Sequence, residues 1–591
     1  MDRTLLVLLV AVAAVLVIAV VTALAERWGV AGPLVLVAIG LVISLIPAVH
    51  IPPIPPEWIL VGVLPPLLYS AAVNVPAIEF RRDFRAISGL AVLLVVVSAL
   101  ALGGFFWLVG IPLPVGIALG AILSPTDAVA TSIAKRLGIT PRVVTMLEGE
   151  SLLNDATALV LLRTAIVAIA GSFSIWGAIG SFVWAVVCAL VLGAVVGLLA
   201  VKLRGWVGGS AANTAISFAV PFLVYVPTEE LGGSGLVAAV VAGIVAGQGA
   251  QRLLTPEQRL SDRMNWRTVE LVLEGAVFLV MGLELREIVT ANITESGGLW
   301  HGIWLALVAL LIVIVVRAAY VSFLVWASGR RAARLDPERL QAFNGRLDAI
   351  ANGDEPMPHG PAPLGAGKRG LGTFGRVLTP AQAQRWVGTM RARVTQLLGD
   401  IDYYRKSPLN WRHGTVLVWA GMRGVVTLAA AQTLPREGID HRALLVFIAF
   451  LVALISLMLQ GFTLPTLVRV LHLAETPAAS GATQEQRELD EQLRQASASS
   501  LHDGSLERRD GSAFPPEFVT GVAARFADAA ELPSTIDTGE LLELRLAAIR
   551  AQRQRLSELS HGGTYRTETL RRALAQLDAD ELSLQLRLDD H

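Results

Sequence analysis

Long apolar runs separated by short polar loops dominate the chain. Runs of about 20 apolar residues have the length that a helix needs to cross a bilayer. They predict about 13 transmembrane spans. The predicted spans are 4–25, 30–48, 56–78, 87–110, 112–134, 143–170, 175–201, 211–226, 230–249, 268–291, 301–328, 413–434 and 442–472. The pattern indicates an all-α polytopic membrane protein.

Polar residues collect in two regions outside these runs. The pattern predicts a transmembrane domain over 1–474, with a cytoplasmic insert at 329–411, and a cytoplasmic tail over 475–591. The insert is rich in Gly and Pro from 352 to 380, a composition that buries too little apolar surface to order itself. The tail is expected to be disordered to about residue 512 and helical near 517–531, 538–560 and 565–588.

Basic residues follow the odd-numbered spans, and the other loops are nearly free of them apart from Arg436 and Arg442. The positive-inside rule then puts the odd loops in the cytoplasm, the N-terminus outside and the C-terminus inside, with the protein in the cell membrane. Ala23–Ala25 resembles a signal-peptidase site, but cleavage there would invert every later basic loop.

Composition narrows the function class. The 591 residues are 54% hydrophobic and 16% charged, with 48 basic and 48 acidic residues, so no excess charge suggests a nucleic-acid partner. The single cysteine, Cys188, permits no intrachain disulfide. No zinc, haem, iron–sulfur or nucleotide-loop motif is visible, which gives no support to a cofactor, to ATP-driven transport or to an enzyme.

The first candidate motif lies in span 5, where Pro125 stands beside Thr126 and Asp127. Proline removes a backbone donor and disturbs the preceding turn. Freed carbonyls and half-helix ends within a membrane can bind a cation. The alternative is a simple proline kink with a helix-capping aspartate.

The second candidate motif opens span 6 with Glu150, Ser151, Asn154 and Asp155. Ser151 and Asp155 are four residues apart and share a helix face, as do Glu150 and Asn154. Such oxygen ligands suit a hard cation, and ionisable groups at membrane depth mark ion or proton pathways. The alternative places both carboxylates in an interfacial loop, but the apolar run ATALVLL follows directly.

A membrane carboxylate needs a partner, and Arg317 and Arg163 are the candidates. Arg317 lies in the middle of span 11, so we predict that it pairs with Glu150 as a structural ion pair. Glu274 and Glu284 place two further carboxylates in span 10.

Span 12 carries Arg423 between Gly421 and Gly424, which predicts a second helix break. Spans 5 and 12 are an odd number of spans apart, so their orientations are opposite. This pattern is typical of inverted repeats with two crossing broken helices. Spans 1–6 would pair with spans 8–13.

Several motifs together resemble the monovalent cation/proton antiporters of the CPA1 (NhaP/NHE-like) type. The matching pieces are LPPLLYSAA at Leu64–Ala72, SPTDAVA at Ser124–Ala130, GESLLNDATALVL at Gly149–Leu161, EGAVFLVMG at Glu274–Gly282, the span of Arg317, and GMRGVV at Gly421–Val426. The resemblance implies a homodimer that exchanges sodium or potassium for protons by an elevator-like movement. Tyr69 and Ser70 depart from it, because members often carry an acidic residue there.

The resemblance also implies site roles. Asp155 would carry the cation or the proton in turn, Asp127 would support it, and Thr126 and Ser151 would be further ligands. Asn154 would occupy the place of a second aspartate in electrogenic relatives, and Glu150 and Arg317 would form the family's ion pair. Arg423 and Glu274 would support the site.

Competition for one carboxylate couples the two flows, so we predict electroneutral exchange of one Na⁺ (or K⁺) for one proton, serving pH and cation homeostasis. The alternatives are a K⁺-preferring antiporter, or a channel or proton-coupled carrier of another solute. A membrane sensor that signals through its tail is a further class.

Overall fold

The protein is described by a computed structural model that covers residues 3–28, 30–46, 55–127, 129–169, 175–296, 298–334, 403–404, 408–435, 439–473, 482–508, 510–515, 517–519, 538–562 and 565–589. Regular structure in these ranges is helical, apart from one β-bridge between Glu507 and Ala513. The all-α prediction is confirmed.

The helices of the apolar part follow the predicted spans. They are α1 (Arg3–Trp28), α2 (Gly32–Ser44), α3 (Trp58–Val73), α4 (Ala77–Leu108), α5 (Leu113–Leu123), α6 (Val129–Arg136), α7 (Pro141–Ile169), α8 (Ile175–Trp206), α9 (Ser210–Glu230), α10 (Gly235–Leu253), α11 (Pro256–Leu283), α12 (Leu285–Ser296), α13 (Leu299–Arg334), α14 (Trp411–Trp419), α15 (Val425–Gln432) and α16 (Arg442–Val470).

Eight helices within the described ranges are long and apolar enough to cross a membrane. Their spanning segments are Leu8–Ala25, Ala77–Leu108, Pro141–Ile169, Ile179–Trp206, Ser210–Glu230, Gly235–Leu253, Leu299–Arg330 and Arg442–Val470. Helices α2, α3 and α5 are apolar but shorter. The count of 13 spans stays a prediction.

Two spans are broken, as predicted. Helix α5 ends at Leu123 and α6 begins at Val129, while α14 ends at Trp419 and α15 begins at Val425. The breaks meet, because the Asp127 backbone N–H donates to the Met422 carbonyl at 2.8 Å. Each break therefore satisfies part of the other's backbone at a depth where water is scarce.

Glycines allow close helix contacts around these breaks. A Cβ on Gly243 or Gly247 of α10 would come within 2.6 and 2.4 Å of α3 carbonyl oxygens. A Cβ on Gly40 would come within 2.5 Å of the α11 backbone. Small residues are the usual means of packing helices within a membrane, where apolar burial gives little driving force.

Two predicted boundaries differ from the structure. Helix α4 begins at Ala77 rather than near 87, so Arg81 lies on a helix and not in a loop. The predicted span 268–291 is divided, because α11 runs from Pro256 to Leu283 and α12 follows. Hydropathy marks only the apolar part of a helix, whereas the capping box of Thr255 and Gln258 fixes the start of α11.

The chain divides into two compact units, one holding Met1–Val325 with Asn410–Ser480 and the other Trp326–Leu409 with Gly481–His591. The second unit contains α17 (Ala482–His502), α18 (Thr538–Gly562) and α19 (Thr567–Asp589). The helical expectation near 517–531 lies mostly outside the described residues, as does nearly all of the insert.

Helix α17 contradicts the prediction of disorder to about residue 512. Its polar sequence is stabilised by side-chain pairs four residues apart, such as Gln486 with Asp490 at 2.9 Å. Leu489 and Leu493 are buried, and Glu485 pairs with Arg566 before α19. Tertiary packing therefore supplies the stability that composition alone does not indicate.

Candidate ion-binding site

Helix α7 carries the second motif, which contacts the first break through Thr126. Glu150 and Asn154 are each 1% exposed, and Asp155 is 5% exposed. Ser151 is half-buried on the face that it shares with Asp155. A single helix thus brings two carboxylates into the interior, about one and a half turns apart, and each needs compensation there.

Glu150 is compensated by Arg317 of α13. The guanidinium donates to both carboxylate oxygens, with Nη2 at 2.8 Å from Oε2, and Nε donates to the Leu417 carbonyl at 2.9 Å. Both side chains are about 2% exposed. This bidentate geometry neutralises Glu150 and ties α7 to α13 and α14.

Thr126 connects the first break to α7. Its Oγ1 accepts a hydrogen bond from Asn154 Nδ2 at 2.7 Å and donates to Glu150 Oε1 at 3.3 Å. The hydroxyl hydrogen of Thr126 is therefore used by α7, and its oxygen keeps one lone pair. In this arrangement Asn154 holds the break in place with its amide group.

Arg423 fills the space between the two breaks. Its Nε donates to the Leu123 carbonyl at 2.9 Å and its Nη2 to the Ser124 carbonyl at 3.4 Å, while Nη1 donates to the Gly421 carbonyl. Carbonyls at the end of a helix lack intrahelical partners. One buried guanidinium therefore satisfies carbonyls at the end of α5 and one carbonyl within the second break.

Asp155 differs from Glu150 in having no such partner. Its Oδ1 is buried and accepts no hydrogen bond from the part of the chain that the structure describes. Asp127 repels it electrostatically across the crossing. An ionised carboxylate in this position is costly, so a proton or a cation at Asp155 would offset the cost.

Asp127 reaches this position because Gly424 leaves room for it. A Cβ on Gly424 would lie 1.9 Å from Asp127 Oδ2, a distance that no side chain permits. Asp127 Oδ1 accepts from the Val129 backbone N–H at 3.3 Å, which starts α6. Asp127 therefore fits both the helix-capping alternative and the predicted role at the ion site.

Helix α11 adds carboxylates on the side of Asp127. Glu274 is half-buried and interacts electrostatically with Asp127 and with Glu270. Glu270 accepts a hydrogen bond from Ser70 of α3, the position where the sequence lacks the expected acidic residue. The sequence reasoning missed Glu270, although its spacing of four residues from Glu274 was a usable signal.

Two predicted residues lie outside the crossing. Arg163, the second candidate partner of Glu150, pairs instead with Glu229 of α9. Glu284, at the end of α11, accepts a hydrogen bond from Gln432 of α15 at 2.7 Å. Neither residue contacts the second motif in the described structure.

Comparisons with known proteins agree with this geometry. The sodium/hydrogen exchanger transmembrane family model matches residues 12–339 and 386–470. An uncharacterized Na⁺/H⁺ exchanger of Mycobacterium bovis is 27% identical, over 98% of this chain and 96% of its own. The Na⁺/H⁺ antiporter ApNhaP of Aphanothece halophytica is 25% identical, over 74% of this chain and 69% of its own.

A solved structure shares the fold. The sodium proton antiporter MjNhaP1 of Methanocaldococcus jannaschii superposes with a TM-score of 0.54 at 16% identity, covering 80% of this chain and 100% of that one. The family match spans most of the chain and includes both helix breaks and the α7 motif. The chain is a membrane transporter and belongs to the sodium/hydrogen exchanger family.

Proposed function

We propose that this protein exchanges Na⁺, or K⁺, for H⁺ by alternating access, with Asp155 as the shared cation and proton site. The observation that carries the proposal is the buried Asp155 oxygen without a hydrogen-bond partner among the described residues, at the crossing of two broken helices. Asp127, Thr126 and Ser151 would complete the ligand set with oxygen atoms.

Coupling follows from competition. A cation and a proton cannot occupy Asp155 together, so binding of one releases the other. An occupied Asp155 is neutral and can pass through the low-dielectric barrier, whereas an empty one carries the full penalty of a buried charge. Leak without exchange is thereby suppressed, and exchange slows at low pH because protons outcompete cations.

The charge count favours electroneutral exchange. Glu150 is neutralised by Arg317, and Asn154 carries no charge. At Asp155, one proton is therefore exchanged for one monovalent cation. The physiological role proposed is pH and cation homeostasis, in a homodimer in the cell membrane with the N-terminus outside and the C-terminus in the cytoplasm.

Sodium is the cation that we favour, because the similar antiporter of Aphanothece halophytica is named for Na⁺. Potassium uses the same ligand types, and a channel or a carrier of another solute remains the alternative function. These alternatives differ in the ion dependence of proton flux.

Proton flux in proteoliposomes that contain a pH-sensitive dye tests the proposal. Addition of sodium, potassium or lithium to the wild type should move protons out of the lumen in a cation-dependent way. Asp155→Asn should abolish this signal while the protein stays folded. Asp440→Asn, at an exposed aspartate between α15 and α16, is the matched control and should behave as the wild type.

Two outcomes would contradict the proposal. Cation-driven proton flux in folded Asp155→Asn would show that Asp155 is not the carrier. Proton flux that proceeds in the absence of any transported cation, in wild type and not in empty liposomes, would indicate a channel.

A further inference from the structure

Helix α11 carries a stripe of four side chains that can form hydrogen bonds, at intervals of four residues. They are Asp262, Trp266, Glu270 and Glu274. Four residues turn an α-helix by about 400°, so each member is displaced by about 40° from the one before. Over the stripe the direction changes by about 120°. The two ends of the stripe therefore face different neighbours.

The first two members have fixed structural partners. Asp262 pairs with the buried Arg204 of α8 at 2.8 Å. Trp266 donates from its indole nitrogen to Ser217 at 2.9 Å, and its ring lies 5.4 Å from that of Tyr69. These contacts hold α3, α8, α9 and α11 together.

The last two members are carboxylates that keep more exposure. Glu270 and Glu274 are both half-buried. Glu274 interacts electrostatically with Asp127, Glu270 and Arg136. Glu274 therefore lies within electrostatic range of both Glu270 and Asp127, and we call Glu270, Glu274 and Asp127 the carboxylate row.

The contact between Ser70 and Glu270 orients a charge without cancelling it. Ser70 is 1% exposed, and its hydroxyl donates to Glu270. Arg317 removes the charge of Glu150, whereas a neutral hydroxyl leaves that of Glu270 in place. Lys135 and Arg267 act on Glu270 electrostatically as well, so the row operates within a mixed field.

The row leads to an unsatisfied acceptor. Asp155 Oδ1 is buried without a hydrogen-bond partner in the described ranges, and Asp155 interacts with Asp127, where the row ends. Negative charge along a path raises the local concentration of cations, and the nearby Lys135, Arg136 and Arg267 limit this effect. The cation that Asp155 needs would arrive along this row.

We propose that Glu270, oriented by Ser70, recruits the transported cation at the mouth of the path and passes it through Glu274 to Asp127 and Asp155. This inference rests on the proposed function. Ser70 lies near the C-terminal end of α3, and Lys135 lies near the C-terminal end of α6. The basic loops predict that both of these helix ends face the cytoplasm. Glu270 would thus act on the cytoplasmic side.

Glu270→Gln tests the recruitment role, because the amide keeps the shape and can still accept from Ser70. The apparent KM for Na⁺ on the cytoplasmic side should rise about three- to tenfold, with the maximum rate unchanged within about twofold. Glu287→Gln removes an exposed carboxylate on α12 and is the matched control, with an unchanged KM.

Two further measurements separate recruitment from a merely structural contact. The KM difference between wild type and Glu270→Gln should shrink when an impermeant salt such as choline chloride is added, because salt screens the field. Ser70→Ala should raise the KM by less than Glu270→Gln, since the carboxylate remains but loses its orientation.

Specific results would overturn the inference. An unchanged KM in Glu270→Gln, beside an active wild type and an inactive Asp155→Asn, refutes recruitment and leaves the antiporter proposal standing. A fall in maximum rate and thermal stability with the KM unchanged shows that the contact is structural. A wild type without cation-dependent proton flux overturns the antiporter proposal and this inference together.

Discussion

At the residue scale, two carboxylates on one helix are treated in opposite ways. Glu150 is held by the two terminal nitrogens of a buried guanidinium, whereas Asp155 Oδ1 has no partner among the described residues. Both could be recognised in the sequence as costly intramembrane charges. Whether each carboxylate has a hydrogen-bond partner depends on where α13 and the breaks lie. Residue spacing on α7 does not reveal those positions.

The buried ion pair makes the first prediction. Arg317→Ala should lower the free energy of unfolding by about 3–5 kcal/mol, because it leaves Glu150 buried without a partner. Thermal unfolding in detergent, with expression level as a second measure, provides the test. An unfolding temperature and yield equal to the wild type would refute a structural role for the pair.

The double variant Glu150→Leu with Arg317→Met is the control for this prediction. Replacing both charges by apolar groups of similar size is often neutral or stabilising. It should therefore recover most of the stability that Arg317→Ala loses. Equal damage in both variants would mean that the contact of Arg317 with the Leu417 carbonyl matters more than its charge.

At the element scale, glycine positions set how closely the helices approach. Gly243 and Gly247 are four residues apart on α10 and face the α3 backbone. The repeat is readable in the sequence, but which helix it meets is not. The contact positions Ser70, because α3 is held against α10 on one side and reaches α11 on the other.

The prediction at this scale is that Gly247→Val destabilises the protein. Its added carbons would lie within 2.4 Å of the Val73 carbonyl, and overpacking of this kind costs about 1–3 kcal/mol. Thermal unfolding should show a clear decrease. Gly180→Val on α8 is the matched control, because no atom lies within 4 Å of a Cβ there.

A Gly247→Val variant as stable as Gly180→Val would show that α3 and α10 are not in close contact. The cation KM of Gly247→Val provides a second measurement. Displacement of α3 should disturb the Ser70 contact, so the KM should change in the direction expected for Ser70→Ala.

Element boundaries were predictable only where a residue type breaks the helix. Pro125 and the glycines beside Arg423 indicated both breaks correctly, because they remove a donor or a conformational restraint. The first turns of α4 and α11 were missed, since polar residues there leave no hydropathy signal. Helix α17 was missed because Leu489 and Leu493 acquire their burial only from tertiary packing.

At the scale of the whole molecule, transport depends on how much charge moves in one cycle. If Asp155 exchanges one monovalent cation for one proton, no net charge crosses the membrane. Turnover in proteoliposomes should then change by less than about twofold when a potassium diffusion potential of about 100 mV is imposed with valinomycin, under sodium-driven exchange. One charge moved through that potential would correspond to about 2.3 kcal/mol.

A steep dependence of turnover on this potential would contradict the charge count. The control is the same measurement with equal potassium concentrations on the two sides, in which valinomycin imposes no potential. Chloride-free buffers exclude a parallel anion current.

The class of the whole molecule was evident from the sequence, while its finer organisation was not. The apolar runs and the Asp127 and Asp155 motifs were enough to indicate the family that the comparisons establish. The row through Glu270 was not foreseen, because Ser70 and Glu270 are 200 residues apart and only folding brings them together.

The amide of Asn154 has a consequence for how the coupling ratio could evolve. The single substitution Asn154→Asp would add a second acid group beside Asp155. On charge alone, this group could allow two protons to move per cation. In this chain the amide hydrogen is donated to Thr126, whose own hydroxyl hydrogen is directed to Glu150. An ionised aspartate has no hydrogen to donate and would compete with Glu150 for that of Thr126. If the proposed ratio of one cation to one proton holds, a change of stoichiometry through Asn154→Asp would also require a new hydrogen bond for Thr126.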